Sequence, residues 1–291
     1  MTNNSDTSLK IKQWQKKMFW MMWITYASFY LLRVNISIAM PSIMSEFGLT
    51  KTNMGVVLTS LFIAYAVGQF INGQLGDKLN SRRIITIGLI SSAILNIIFG
   101  LAAGAIVLMA VLWGLNGYFQ SMGWGPTVKA NANWFPKKIR GKMSGRLGTS
   151  YIIGGALCWF LAGTIVKYFN WRFTFFIPAV ICILLAIHWY IRARNAPEEV
   201  GLPSLEEQEQ GIERSEVKVD EHIGFKETLK ITLLNPYVWF AGLALLCLNI
   251  VRYGFMSWAP TYMFEEQGAT ISMAAYKAIA FPVAGGLGAI F

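Results

Sequence analysis

Apolar residues in this chain do not alternate with polar ones as they would in a strand or a soluble helix. They come in long unbroken runs separated by short polar segments. A helix needs about 20 mostly apolar residues to cross a bilayer. The pattern predicts seven complete spans, at roughly 19–41, 53–75, 84–103, 106–131, 147–166, 173–191 and 237–262, and part of an eighth from about 276. The run from Ile84 to Leu115 must hold two helices, and Gly100 and Gly104 offer the turn between them. The expected fold class is therefore all-α and polytopic. The last apolar run, Ala278 to Phe291, has no polar exit, so the sequence reads as a piece of a longer protein.

Composition agrees with the runs. Fifty-five per cent of residues are hydrophobic and 14% are charged, against about 25% charged in soluble domains. Four lysines, Lys10, Lys12, Lys16 and Lys17, precede the first span as in a signal peptide. The run behind them is too long and lacks a small-residue cleavage site, so it is a retained span.

The net charge of +10 would admit a nucleic-acid partner, but the charges sort by side of the membrane. With the N-terminus in the cytoplasm, 18 of the 25 Lys and Arg fall in inner segments and four in outer ones. The other three, Arg33, Lys129 and Arg252, lie within spans. This is the positive-inside pattern. It predicts a multi-pass protein of a cell membrane, a bacterial inner membrane in this reading, with lipid and no nucleic acid as partner.

Cys158, Cys182 and Cys247 lie in apolar runs without metal spacing and read as packing residues. No nucleophile triad, phosphate-binding P-loop or metal cluster is visible, so neither an enzyme nor a cofactor is expected. Three segments follow: a six-span bundle over 1–194, a glutamate-rich cytoplasmic linker over 195–230, and the start of a second bundle over 231–291. Within the linker, Gly224 to Leu234 suits an amphipathic surface helix.

Span one and span seven share a pattern. Arg33 and Arg252 each precede a proline by eight residues, Pro41 and Pro260, and a glutamate by thirteen, Glu46 and Glu265; Gly48 and Gly268 follow almost in register. At 1.5 Å per residue both arginines lie roughly 21–22 Å from the cytoplasmic end of their spans. Matching depth in spans one and seven points to a parallel repeat of two six-span halves, twelve spans in all. An arginine at that depth costs about 2.5–3.5 kcal/mol on insertion scales and is retained where it faces a cavity or a partner. No acid lies near either one in its own span, so a dianion between them would satisfy both. Guanidinium grips phosphate or carboxylate through paired hydrogen bonds.

Two resemblances rest on these residues. Gly73-Gln74-Leu75-Gly76-Asp77-Lys78-Leu79-Asn80-Ser81-Arg82-Arg83, between spans two and three, resembles a major facilitator superfamily motif, departing from it at Asn80 and Ser81. It implies a gating charge cluster of Asp77, Arg82 and Arg83. The stretches Tyr30–Asn35, Ala39–Pro41, Gly117–Trp124, Arg140-Gly141, Ala196–Pro203 and Arg252–Tyr262 resemble the organophosphate:phosphate antiporter family. That resemblance implies a cavity between two six-helix bundles, with Arg33 and Arg252 binding the phosphate of a sugar phosphate or glycerol phosphate. It also implies exchange with inorganic phosphate by a monomer through alternating access. Tyr26, Tyr30, Tyr151, Asn249, Gln69 and Trp124 are the further candidate substrate contacts.

The chain departs from that family at several positions. Tyr151 stands where the family has a histidine, and Gln69 where a lysine is common. Val34 and Ser257 replace a basic and an acidic residue, a paired loss of charge. The first two changes keep two other readings open: a membrane sensor of a sugar phosphate, and an ion-coupled transporter of carboxylates or other organic anions.

Overall fold

The computed structural model describes residues 4–78, 80–102, 104–210 and 225–288. Every regular element among them is helical. Span one is two helices, α1 (Asn4–Leu31) and α2 (Ile36–Phe47), and span two is α3 (Lys51–Lys78). Span three is α4 (Ser81–Ala102), and span four is again two helices, α5 (Ile106–Gln120) and α6 (Trp124–Trp134). Spans five and six are α7 (Lys137–Tyr168) and α8 (Phe173–Arg192). Then come the short α9 (Leu205–Gln210) and α10 (Phe225–Leu234), the long α11 (Pro236–Glu265), and α12 (Ile271–Ala278) with α13 (Ala280–Gly288).

Six stretches are long and apolar enough to cross a membrane. Span four does not count among them, because the turn at Ser121–Gly123 cuts it into pieces of 15 and 11 residues. Two boundaries move for one reason. Helix α7 starts at Lys137 and α12 at Ile271, ahead of the apolar runs. Hydropathy detects the lipid-facing part of a helix, whereas the helix itself starts at its cap. At α12 the Thr270 side chain accepts from the Met273 N–H at 3.2 Å. The turn between spans three and four uses Gly104, at φ +127°. Gly100 stays inside α4, where a Cβ would meet the Phe176 ring at 2.7 Å.

The first six spans bury large rings in two clusters, Trp134, Trp159 and Trp189 in one and Phe99, Trp113 and Phe175 in the other, all fully buried. Close helix approach is made at glycines. A Cβ at Gly117 would overlap the Leu61 backbone, bringing α5 onto α3, and one at Gly154 would meet the Ala27 carbonyl at 2.5 Å, bringing α7 onto α1. Trp159 Nε1 donates to Ser37 Oγ at 2.9 Å and ties α7 to α2.

Helix α11 packs on α2, and α12 on α7. A Cβ at Gly163 of α7 would meet Ala275 at 2.7 Å. Lys51 and Glu265 form a 2.6 Å ion pair between the halves. On α11, Trp239, Phe240, Leu243 and Leu246 are exposed.

The linker begins as folded structure rather than as a solvated tether. Trp134 Nε1 donates to the Arg194 carbonyl at 2.9 Å, and Asn133 Nδ2 donates to the Asn195 carbonyl at 3.1 Å. A 3-10 turn over Pro197–Val200 ends at Gly201 with φ +70°, and Pro197 and Leu202 are buried. The Ala196–Pro203 motif is therefore a clasp on the end of the first bundle that carries Asn133 and Trp134. The stretch expected to form a surface helix is helical over Phe225–Leu234, as α10. Glu213, Glu216, Arg214 and Lys218 lie outside the described residues.

Candidate functional site

The site starts where span one stops being a helix. Helix α1 ends at Leu31 and α2 begins at Ile36, so Arg33 sits in a four-residue break. In hydrocarbon every carbonyl freed by such a break needs another donor. Side chains of the neighbouring helices supply them. Gln120 Nε2 donates at 3.1 Å to the Phe29 carbonyl, which also keeps a backbone bond from the Leu32 N–H at 3.2 Å. Asn96 Nδ2 and Asn116 Nδ2 donate to the Leu32 carbonyl at 3.1 and 2.9 Å. Two of the cysteines join in, as Cys158 Sγ meets the Leu31 carbonyl at 3.6 Å and Cys182 Sγ the Ser28 carbonyl at 3.3 Å. They pack against span one as expected, whereas Cys247 is exposed.

Arg33 is 6% exposed. Its Nε donates to Gln120 Oε1 at 3.3 Å. Its guanidinium lies over two rings, Tyr65 at 4.5 Å and Tyr30 at 5.0 Å. Such cation–π contacts are strongest when desolvated, about 2 kcal/mol. Arg252, on α11, is half-buried. It lies over Tyr151 at 4.3 Å and Tyr253 at 5.4 Å. The Tyr30 and Tyr151 rings are 5.9 Å apart. The two arginines thus flank a pair of tyrosines, one from each of two packed helices. Lys51–Glu265 and Arg172–Glu46 are ion pairs among the described residues, and neither involves these arginines.

Other candidates fall around this axis. Tyr26 and Tyr30 share one face of α1, their rings 6.0 Å apart, whereas Arg33 lies beyond the end of that helix and reaches Tyr30 from the break. Tyr26 meets the Trp124 ring at 4.9 Å. Gln69 lies one turn beyond Tyr65 on α3, and Asn249 one turn before Arg252 on α11, both half-buried. Neither side chain makes a hydrogen bond among the described residues. Val34 and Ser257 line one small cavity together with Arg33, Phe62, Tyr253 and Met256. The two departures from the family's charge pair are therefore neighbours. A second cavity, about 490 Å³, opens between α7, α11 and α13 and is lined by Tyr151, Ile152, Leu248, Arg252 and Phe281. A third, about 760 Å³, lies along α11 by Ile250, Phe255 and Trp258. It is almost wholly apolar and carries neither arginine, so it is not the candidate site.

The motif between spans two and three, expected to form a gating charge cluster, is seen in part. Arg82 lies over the Tyr190 ring at 5.3 Å, and its backbone N–H donates to Asn80 Oδ1 at 2.9 Å and Asn195 Oδ1 at 3.2 Å. Arg83 is exposed. The Asp77 side chain lies outside the described residues. Arg82 thus meets the clasp at the end of span six.

Tyr65, Gln120 and Tyr253 also meet the two arginines but are not among the contacts read from the sequence, although Gln120 and Tyr253 lie in stretches that carry the family resemblance. Gln120 carries a signal, an amide within an apolar span. Tyr65 carries none, since a tyrosine in an apolar span reads equally as packing.

Known proteins bear on this arrangement. A "Probable hexose phosphate transport protein" of Chlamydia trachomatis is 33% identical over 277 residues, covering 90% of this chain and 60% of its own length. A "Glycerol-3-phosphate transporter" of Bacillus subtilis is 34% identical over 272 residues, covering 91% and 61%. "Membrane sensor protein UhpC" of Escherichia coli is 30% identical over 294 residues, covering 100% and 66%. The chain spans about three-fifths of the length of the first two relatives. A solved bacterial homologue of the human lysosomal transporter Spinster, inward-facing and unoccupied, superposes with TM-score 0.78 at 18% identity, over 94% of this chain and 60% of that one. The family model described as Major Facilitator Superfamily matches residues 22–291, and with that match, on this helical architecture, the chain belongs to the Major Facilitator Superfamily.

Proposed function

We propose that the protein containing this chain is a secondary transporter that moves a phosphorylated organic anion, a sugar phosphate or glycerol phosphate, across the membrane in exchange for inorganic phosphate. Its N-terminus faces the cytoplasm, and two six-span halves rock about the site to expose it to each side in turn. The observation that carries this reading is the pair Arg33 and Arg252. They come from different halves, flank Tyr30 and Tyr151, and have no carboxylate partner among the described residues. A phosphate between them takes paired hydrogen bonds from both guanidinium groups. As the halves close on it, it offsets two cations that would otherwise repel. Relatives named as hexose phosphate and glycerol-3-phosphate transporters support the same substrate class.

The test is uptake of labelled glycerol-3-phosphate and glucose-6-phosphate by the full-length protein in phosphate-loaded liposomes. Uptake that requires internal phosphate is the expected result. A second reading, a membrane sensor of a sugar phosphate, is favoured by Tyr151 in place of histidine and by the full-chain similarity to a membrane sensor protein. Phosphate esters that protect the protein against thermal unfolding without any uptake would decide for the sensor. Neither uptake nor protection would overturn both readings and favour a carboxylate as the anion.

A further inference from the structure

We propose that Asn96 and Asn116 are positioning residues for Arg33, an inference that rests on the anion-site reading above. In an unbroken helix the Leu32 carbonyl would accept from the Ile36 N–H. Here that N–H donates to Asn35 Oδ1 at 3.1 Å instead. Two amides replace it on the Leu32 oxygen, Asn96 from α4 and Asn116 from α5. Asn96 is itself braced. Its Nδ2 also donates to the Ser92 carbonyl at 2.9 Å, and its Oδ1 accepts from Asn35 Nδ2 at 2.9 Å. Asn35 Nδ2 donates in turn to the Thr174 carbonyl at 3.0 Å on α8. All three asparagines are fully buried.

The clamped atom is what gives the cluster its role. The Leu32 carbonyl and the Arg33 N–H belong to one planar peptide unit. Holding that oxygen from two helices fixes the plane from which the Arg33 side chain departs. Gln120 then sets the far end of the side chain through Nε. One donor is enough to relieve an orphaned carbonyl, yet this one has two. Asn116 Oδ1 has no partner among the described residues, so Asn116 serves the site with its donor end alone. That one-sided use fits aiming a backbone better than filling a polar core.

The experiment is calorimetric titration of inorganic phosphate into the full-length protein in detergent, unaltered and as Asn96→Ala, Asn116→Ala and Asn116→Asp. Mispositioning raises the phosphate Kd at unchanged stoichiometry, whereas misfolding lowers the stoichiometry at unchanged Kd. The expected result is a Kd about tenfold higher or more in each variant, with stoichiometry preserved, since small misplacements of a binding group cost factors of this size. Asn116→Asp matters because it keeps the side-chain size but turns an acceptor toward the Leu32 oxygen. An unchanged Kd in those variants that fold would overturn the proposal. So would failure of all three to fold, which would assign the amides to stability. If the unaltered protein binds no phosphate, the anion-site reading falls first and this inference falls with it.

Discussion

Span one and span seven share their arginine, proline and glutamate spacing, and they also share the way they end. Gly48 and Gly268 are both left-handed, at φ +63° and +62°. Each leads to a threonine that caps the next helix. Thr50 Oγ1 accepts from the Asn53 N–H and Thr270 Oγ1 from the Met273 N–H, both at 3.2 Å. Between those ends the two spans differ. Span one breaks at its arginine, whereas α11 runs through Arg252 from Pro236 to Glu265. Arg33 is buried and hydrogen-bonded, whereas Arg252 is half-buried and held by ring faces. Glu46 stays inside its own bundle, bonded to Trp171 Nε1 at 2.7 Å and to Arg172 at 2.6 Å, whereas Glu265 crosses to Lys51. The repeat therefore encodes helix ends. The middle of each span is shaped by what packs against it, and buried amides from α4 and α5 make Arg33 a fixed group.

The comparison has four consequences that can be measured. Arg33→Lys should lower phosphate-driven exchange by about 100-fold or more, because lysine cannot hold Gln120 and still present a planar fork. Arg252→Lys should cost about tenfold, since a lysine can also sit over the Tyr151 ring. Equal initial rates for the two variants in loaded vesicles would erase the distinction between them. Gln120→Leu comes next. It strips a donor from Phe29 and an acceptor from Arg33, so phosphate affinity should fall about tenfold and stability by about 1–3 kcal/mol. Thermal unfolding with and without phosphate reads both. Gly117→Ala forces α5 away from α3 and should destabilise by about 1–3 kcal/mol. Gly254→Ala on α11, where a Cβ meets nothing within 4 Å, should leave the melting temperature equal or slightly higher. The smallest effect concerns the glutamates. Glu265→Gln should change the exchange rate by less than about threefold, in a manner that vanishes at high salt, because its lysine partner is largely exposed. Glu46→Gln, inside one bundle, should change it less.

Much of this architecture is legible in the amino-acid sequence. Apolar run length, charge asymmetry and the arginine spacing are one-dimensional signals, read along the chain without knowledge of any contact. The broken spans are not legible there. Hydropathy averages over a window, and a span with a four-residue break has the same composition as one without. The hint is local: Asn35 in span one, Asn96 in span three, Asn116 and Gln120 in span four are amides in apolar runs. Each alone reads as a tolerated exception; their convergence on the break at Arg33, three on its carbonyls and Asn35 bracing Asn96, is a tertiary fact. The clasp is hidden for a related reason. Ala196–Pro203 is polar enough to look solvated, and the burial of Pro197 and Leu202 follows from docking to the first bundle. Tyr65 and Tyr253 carry no signal that separates a ring facing a cation from a ring in packing.

The amide cluster around Arg33 also bears on the thermodynamics of anion capture. An arginine side chain carries about 2 kcal/mol of rotamer freedom. At Arg33 most of that freedom is lost when the chain folds, because Gln120 and two tyrosine faces already define its direction. At Arg252, with a ring face on one side and an open cavity on the other, more of it is lost when the ligand arrives. The two cations should therefore hold the same anion with different heat signatures: an enthalpic grip from a rigid group at Arg33, and an entropically opposed one from a group that orders on contact at Arg252.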